Sequence, residues 1–513
     1  MSFRDHLQKL FESLTPPSEP VPAAASDLTD YVRWGGVPLD VEQRLHFCVL
    51  GTSRSGKTTL LRILMQDALP KITSRKNFRG LIYDPKSEMH EILASLGLQD
   101  YVVTLDPFSP HSSAWNIHED LKDEESAGRI AEALFPSTDS KNETDAFFRK
   151  SFQNLTKAVA IVFQRQKVQW TLRDLLLGLK SIHVTEEISR RYPSTWDSFN
   201  NTIQRLETSQ DIISTTETYV GSYRVIAALW HQASLERKGV SIGEWSRSNS
   251  ILVLPSPIQP KDSISSLNQL IFNRASEAIL AQPESDAFPK GEHPRIWVII
   301  DELRTAGELV GLERLVSASA SRGCRVVIGT QNIEGLVDAQ GENKAEEILG
   351  LCHNRAFLRA PSPRTADWMS QQFKTRMTEI EERSISVNGA TESTTFNYRK
   401  VDLPLVRPEV FLNLDSPEWS DRLEGYFIAP GAKHPRYYAW VDKQRLFGGD
   451  DPIVRRFTKQ VLKPSRPPEH QILQPWTLED LHRLKLPPYL IAYSQPGQFP
   501  DFSSSNESSA YGS

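Results

Sequence analysis

No apolar run in this 513-residue chain approaches the roughly 18–20 residues that a membrane-spanning helix needs. The N-terminus, MSFRDHLQKLFESL, carries Asp5 and Glu12 and has no long apolar core, which excludes a secretory signal. Cysteine is scarce. Cys48, Cys324 and Cys352 stand far apart, without metal-ligand spacing, and fit a reducing, cytoplasmic setting. An excess of positive charge is missing too. The formal net charge is −5, so no global basic field draws nucleic acid, and any such contact must come from a local patch or a pore lining. What remains, 39% hydrophobic and 24% charged residues, suits a globular chain long enough for two or three domains with cores of their own.

The chain is organised around Gly51-Thr52-Ser53-Arg54-Ser55-Gly56-Lys57-Thr58-Thr59, which satisfies the phosphate-loop pattern G-x-x-x-x-G-K-[ST]. Glycine lets the backbone curl until successive N–H groups point inward at phosphate oxygens. Lys57 adds positive charge toward the β- and γ-phosphates, and the Thr58 hydroxyl is of the kind that ligates Mg²⁺. The context agrees. His46-Phe47-Cys48-Val49-Leu50 is a short apolar strand, and 57–69 has helical spacing, with Leu60, Leu61, Leu64 and Met65 on one face. Strand, glycine loop and helix N-terminus together make an anion site.

ATP hydrolysis needs more than this loop. The run Ile296-Trp297-Val298-Ile299-Ile300 ends in Asp301-Glu302. A buried strand would carry Asp301 to the sheet edge to hold Mg²⁺, and Glu302 would orient or deprotonate the attacking water. A further strand, 324–330, ends in Gln331, placed as a sensor that bridges water and γ-phosphate. Phosphoryl transfer also uses a positive charge, often supplied in trans. Arg314, Arg322 and Arg325 are candidates, and Arg322, ahead of Gly323 in the turn before that strand, is the first choice.

The remaining organisation is α/β. Residues 3–14 form an amphipathic helix stopped by Pro16-Pro17, and 17–26 read as a linker. The basic stretch 71–79 reads as a solvated face, with a nucleic-acid phosphate contact as the alternative. Gly80-Leu81-Ile82-Tyr83 runs into Asp84-Pro85-Lys86, and 101–107 repeats the pattern as another strand. Between Trp115 and Arg247 strand signals vanish and 3.6-residue apolar spacing takes over, as expected of an all-α insertion that opens with the acidic, solvated run 119–125. Strands return at 250–255. The expected divisions are 1–33 (helix and linker), 34–114 and 248–447 (two parts of a nucleotide-binding domain with a mainly parallel sheet), 115–247 (insertion), and 448–513. This last is a Pro/Ser-rich, partly disordered extension with one helix-like piece at 477–484.

These segments, in this order, resemble the type IV secretion coupling proteins, the DNA-pumping ATPases of bacterial conjugation. The likeness covers about 34–438. It rests on 51–59, GLIYDPK at 80–86 with Leu105-Asp106-Pro107 and Trp115-Asn116, the helical insertion, IIDEL at 299–303, and CRVVIGTQ at 324–331. It implies a RecA-like domain with an all-α domain, and a hexamer with ATP sites between neighbours. It also implies ATP hydrolysis with Mg²⁺ that drives DNA, bound without regard to sequence and expected as a single strand. By position, Lys57 and Thr58 bind phosphate and Mg²⁺, Asp301 and Glu302 are the Mg²⁺ and catalytic acids, and Gln331 is the sensor. Two departures stand out. Family members begin with a transmembrane region that this chain lacks, so either a partner (a membrane-embedded protein or a DNA-processing relaxase complex) recruits it from the cytoplasm to the inner membrane, or it belongs to a soluble branch that does different work. The family's trans-acting arginine falls at Ala320 here, so either Arg322 substitutes or the trans charge comes from elsewhere. The alternatives are an ATPase that moves or assembles protein clients, and a nucleotide-gated oligomeric scaffold.

Overall fold

The computed structural model describes residues 31–85, 89–136, 143–204, 209–236, 239–255, 261–289, 292–388, 391–415, 422–432, 434–442 and 468–494. The expected N-terminal helix, the linker 17–26, Lys86 and the tail beyond 494 lie outside them. Contacts divide the chain into two compact units. One comprises Met1–Val102, Ser248–Ile251 and Ile279–Val461, the other Val103–Arg247, Leu252–Ala278 and Leu462–Ser513.

The strands in chain order are β1 (Tyr31–Trp34), β2 (Val37–Asp40), β3 (Phe47–Leu50), β4 (Phe78–Asp84), β5 (Val102–Thr104), β6 (Ser250–Pro255) and β7 (Arg295–Ile300). There follow β8 (Cys324–Thr330), β9 (Asn354–Phe357), β10 (Thr375–Asn388), β11 (Thr391–Pro404), β12 (Arg422–Ile428) and β13 (Arg436–Asp442).

In the first unit β13, β12, β9, β3, β8, β7 and β4 lie side by side in that order. From β9 to β4 the strands are parallel, while β12 runs antiparallel to both its neighbours. β3, β4, β7 and β8 are buried along their whole lengths. Such strands read as near-continuous apolar runs, without the alternation of a half-solvated sheet. Parallel pairing places the C-terminal ends of β3, β8, β7 and β4 along one edge. Leu50 pairs with Thr330, Ile328 with Ile300, and Ile300 with Tyr83.

An N-terminal hairpin locks onto this sheet. It starts at Tyr31, ahead of the Trp34 boundary expected from sequence. Gly35 and Gly36 turn it with φ of 56° and 85°, as a two-residue hairpin loop requires. A Cβ on Gly35 would sit 2.5 Å from the Phe427 ring. The Trp34 ring meets Phe47 edge-on at 5.0 Å, and Tyr437 donates its hydroxyl proton to the Trp34 carbonyl at 2.6 Å. Arg33 clasps Asp67, on the helix Lys57–Ala68, through Nε and Nη2 at 2.8 and 2.7 Å.

The second unit is helical as the spacing predicts. Its long helices are Glu143–Arg165, Ser209–Glu236 and Lys261–Leu280. Within this unit the two ends of the helical stretch are pinned together. Trp115 bridges Val240, and the Asp120 carboxylate accepts from Trp115 Nε1 (2.7 Å), Ile242 N (2.7 Å) and Gly243 N (3.0 Å). Asp120 is 4% exposed, so the acidic run 119–125 is not simply a solvated face. Burial raises the pKa of this carboxyl, and the three donated hydrogen bonds oppose the rise.

One further expectation changes, and two features go beyond what the sequence suggests. The basic stretch 71–79 is not one solvated face, since Arg79 is buried within β4. β10 and β11, 14 residues each, form an antiparallel ribbon of their own that sequence reading does not anticipate, because its residues show little apolar alternation. The C-terminal extension is not simply a tail either. The helix Leu478–Arg483 is capped by Thr477 and docks on the helix Leu172–Gly178 of the same unit. There Trp476, 1% exposed, donates to Asp174 at 2.9 Å. Arg173 donates to Gln474 O at 2.9 Å and Asp480 at 3.0 Å, and Arg483 donates to Asp174 at 3.0 and 3.1 Å.

Candidate active site

β3 delivers Gly51 to the sheet edge between two neighbouring strands. Gly51 N donates to Thr330 O of β8 at 3.2 Å, and Thr52 N donates to Arg359 O, just past β9, at 2.8 Å. Only glycine fits at 51, because a Cβ there would sit 2.5 Å from Ser55 Oγ and 2.7 Å from Leu358 Cβ. Arg54 and Gly56 adopt positive φ of 64° and 99°. That left-handed path is uncommon for a non-glycine residue. It curls Ser53, Arg54 and Ser55 over the N-terminus of the helix Lys57–Ala68. Ser53 and Arg54 are exposed at the crest, Thr52, Thr58 and Thr59 are half-buried, and Ser55 is buried, its Oγ without a hydrogen-bond partner.

Lys57 is buried against the loop. Its Nζ donates to Gly51 O at 2.7 Å and Thr52 O at 3.0 Å, and stands 4.0 Å from Glu302 Oε2. Thr58 Oγ1 lies 3.2 Å from both carboxylate oxygens of Asp301. Asp301 and Glu302 are 2% and 6% exposed. Residues 243 positions apart therefore meet at one sheet edge. A glycine-bounded loop at a helix N-terminus, a lysine, and a hydroxyl facing a carboxylate make the donor set that suits a triphosphate with Mg²⁺. Asp301 is set by close backbone approach. A Cβ on Gly329 in β8 would lie 2.1 Å from Asp301 O. Gln331 follows β8 at the same edge, half-buried, between the phosphate-loop strand and the acid-bearing strand.

The three arginines separate. Arg325 is fully buried, donating to Val41 O and Gly323 O, and is a scaffold residue. Arg314 is exposed on the helix Leu312–Ala318. Arg322 lies in the turn that precedes β8, at the edge opposite the phosphate loop. Three contributors escaped sequence reading: Leu358 under Gly51, the Arg359 carbonyl, and Gly329. A glycine inside an otherwise apolar strand is the signal that could have found the last. Among the described residues no helix is long and apolar enough to cross a membrane.

The strand order and the loop define an α/β, RecA-like nucleotide-binding fold with a helical domain. The sequence model described as the type IV secretion-system coupling protein DNA-binding domain matches residues 31–434, and the chain belongs to that family. Coupling protein TraD of Escherichia coli (strain K12) is 22% identical over 352 residues, 67% of this chain and 46% of TraD, so the chain spans less than half of that relative. Among solved structures, the unbound conjugative coupling protein TrwBdeltaN70 matches with a TM-score of 0.56 at 18% identity, covering 85% of this chain and 90% of that one. TrwB in complex with ADP and Mg2+ matches with a TM-score of 0.56 at 19% identity, covering 85% and 91%. At these identities the structural likeness shows the fold alone.

Proposed function

We propose that the chain is a Mg²⁺-dependent ATPase that drives DNA as part of a ring of copies. The observation that carries this is the convergence of Lys57, Thr58, Asp301 and Glu302 at one sheet edge. The family's description as a DNA-binding domain and the ADP and Mg²⁺ complex of TrwB support it.

In this reading the loop amides other than those of Gly51, Thr52 and Ser55, which donate to protein carbonyls, hold the phosphates with the Lys57 ammonium, and Thr58 with Asp301 holds the metal. Magnesium supplies neutralisation of the charge on the β- and γ-oxygens when bound. Glu302 orients a water in line with the γ-phosphate and accepts its proton. Lys57, 4.0 Å away, faces Glu302 with the opposite charge. Gln331 senses the γ-phosphate. DNA is held through its phosphates, independent of sequence.

The test is the ATPase rate of purified protein with and without single- and double-stranded DNA, across a salt series. DNA should raise turnover, and binding should weaken with a log–log slope of about −0.7 per single-strand phosphate contacted. Glu302→Gln should keep nucleotide and lose turnover by roughly 100-fold or more. Turnover that ignores DNA but responds to a protein client would replace the DNA reading.

A further inference from the structure

The ribbon of β10 and β11 is a sheet of its own. Among the described residues its strands pair only with each other, and 14 residues a strand span roughly 45 Å. Its root is firm. Phe373, two residues before β10, is 4% exposed and packs against Phe357, Phe411 and Tyr426. Leu405 N donates to Lys374 O at 3.0 Å, and Ser370 Oγ donates to Val406 O at 2.7 Å. Farther out, Glu379, Glu381 and all of 396–400 are exposed. A two-stranded ribbon by itself is marginal in water, and its open edges and apolar side chains invite a partner.

Cross-strand register sorts the ribbon into two faces. On the first, Met377 and Tyr398 are 64% and 65% exposed and Phe396 is 50% exposed. Asp402 stands opposite Met377, Glu381 opposite Tyr398, and Glu379 opposite Lys400. Farther along, Arg383 stands opposite Phe396 and Glu392 opposite Val387, so acid outnumbers base on this face. The second face has Arg376 opposite Leu403, Arg399 opposite Ile380 and Glu382 opposite Asn397, so base outnumbers acid there. Arg376 and Arg399 are both exposed. Aromatic rings set among carboxylates suit a guanidinium, which gains a cation–π contact and an ion pair together. The same carboxylates repel the phosphates of a nucleic acid. The second face offers two such guanidinium groups, so each copy of the chain carries both halves of one interface.

We propose that the acidic, aromatic face of the ribbon packs on the basic face of the ribbon of a second copy of this chain. Arg376 and Arg399 of one copy meet Glu379, Glu381 and the rings of Phe396 and Tyr398 of the other, with the ribbons about 10 Å apart. One face meets a different one, so the contact is heterologous. It repeats from copy to copy and closes into a ring where the rotation permits. The proposal rests on the ring of copies in the reading above, and not on ATP hydrolysis.

The test measures self-association of the full chain by sedimentation velocity over a concentration series, without nucleotide. Glu379→Arg with Glu381→Arg makes both faces basic, and Arg376→Glu with Arg399→Glu makes both acidic. Each double variant alone should associate at least about 10-fold more weakly than the wild type. An equimolar mixture of the two should return to within a few-fold of the wild type, because basic faces then meet acidic ones. Phe396→Ala with Tyr398→Ala keeps the charges and should also weaken association several-fold.

Wild-type association in either charge variant overturns the pairing. No recovery in the mixture, while both variants keep the wild-type circular dichroism, overturns it too. So does an Arg376→Glu, Arg399→Glu variant that loses DNA binding at unchanged mass, which would assign these arginines to nucleic-acid phosphates. An assembled wild type indifferent to the charge variants removes the ribbon contact and leaves the ring standing, whereas a wild type that is monomeric at every concentration removes both.

Discussion

Replacing Gly329 by alanine tests how the acidic pair is held. The new Cβ would lie 2.1 Å from Asp301 O and 2.9 Å from its carbonyl carbon, where real Cβ contacts are essentially never under 3.0 Å. Both atoms are backbone on adjacent, fully buried strands, so no side chain can swing aside. β7 or β8 must shift by roughly 1 Å, at an overpacking cost of about 1–3 kcal/mol. The gain from a stiffer unfolded chain, about 0.4–1 kcal/mol, offsets only part of this. The expected net loss of about 1–2 kcal/mol lowers Tm by roughly 3–6 °C for a unit of this size. The same shift moves Asp301 off Thr58 Oγ1, now 3.2 Å from both carboxylate oxygens. A misplacement of about 1 Å at a catalytic group costs on the order of 100-fold in kcat. Nucleotide affinity should change only a few-fold, because the phosphate loop and Lys57 are untouched. Gly128→Ala is the control. It lies in the helix Glu124–Leu134, a Cβ there meets nothing within 4 Å, and it should stabilise by roughly 0.5–1 kcal/mol with turnover unchanged. Melting by circular dichroism and steady-state ATP turnover read both arms. Wild-type Tm and kcat in Gly329→Ala would refute the close-approach argument.

Lys57→Ala should abolish nucleotide binding, measured by fluorescence titration with a labelled ATP analogue, because the buried ammonium bonded to Gly51 O and Thr52 O is the loop's fixed positive charge. Trp476→Ala should destabilise the helical unit by about 3–5 kcal/mol in denaturant melts, since the indole is 1% exposed and bonded to Asp174; truncation after 467 should act in the same direction. The C-terminal clasp should also be acid-sensitive. Burial raises the Asp480 pKa, but hydrogen bonds from Arg173, Thr477 and Arg483 outweigh it and hold the carboxyl well below its ordinary 3.8. A depressed folded pKa gives stability that is present above pH about 4 and lost as pH falls below it. Asp480→Asn should flatten that acid limb of the melting curve.

The elements with strong local periodicity were legible from residues alone. β3, β7 and β8 announce themselves as apolar runs ending in polar turns, and the loop at 51–58 carries its chemistry in its residue types. The helical character of the stretch after Trp115 follows from apolar spacing, although Asp120 shows how misleading a charge run can be. Its carboxylate is buried because it joins Trp115 to Ile242 within the helical unit, a partnership across 122 positions. β10 and β11 were illegible because their residues show little apolar alternation, and what defines them is their pairing with one another.

Sequence by itself determined the parts: a phosphate loop between strand and helix, an acidic pair after a buried strand, a helical insertion, and their order, which is enough to reach the family. Only the tertiary structure decided which parts meet. It put Thr58 against Asp301, made Gly329 the spacer that sets that contact, and bound residues 468–494 to the helical unit. It also placed Arg322 at the edge away from its own loop. The physical reason is range. Backbone preference and apolar period act over a few residues and are written locally, whereas a carboxylate's partner or a Cβ clash depends on strands brought together by burial from hundreds of positions away.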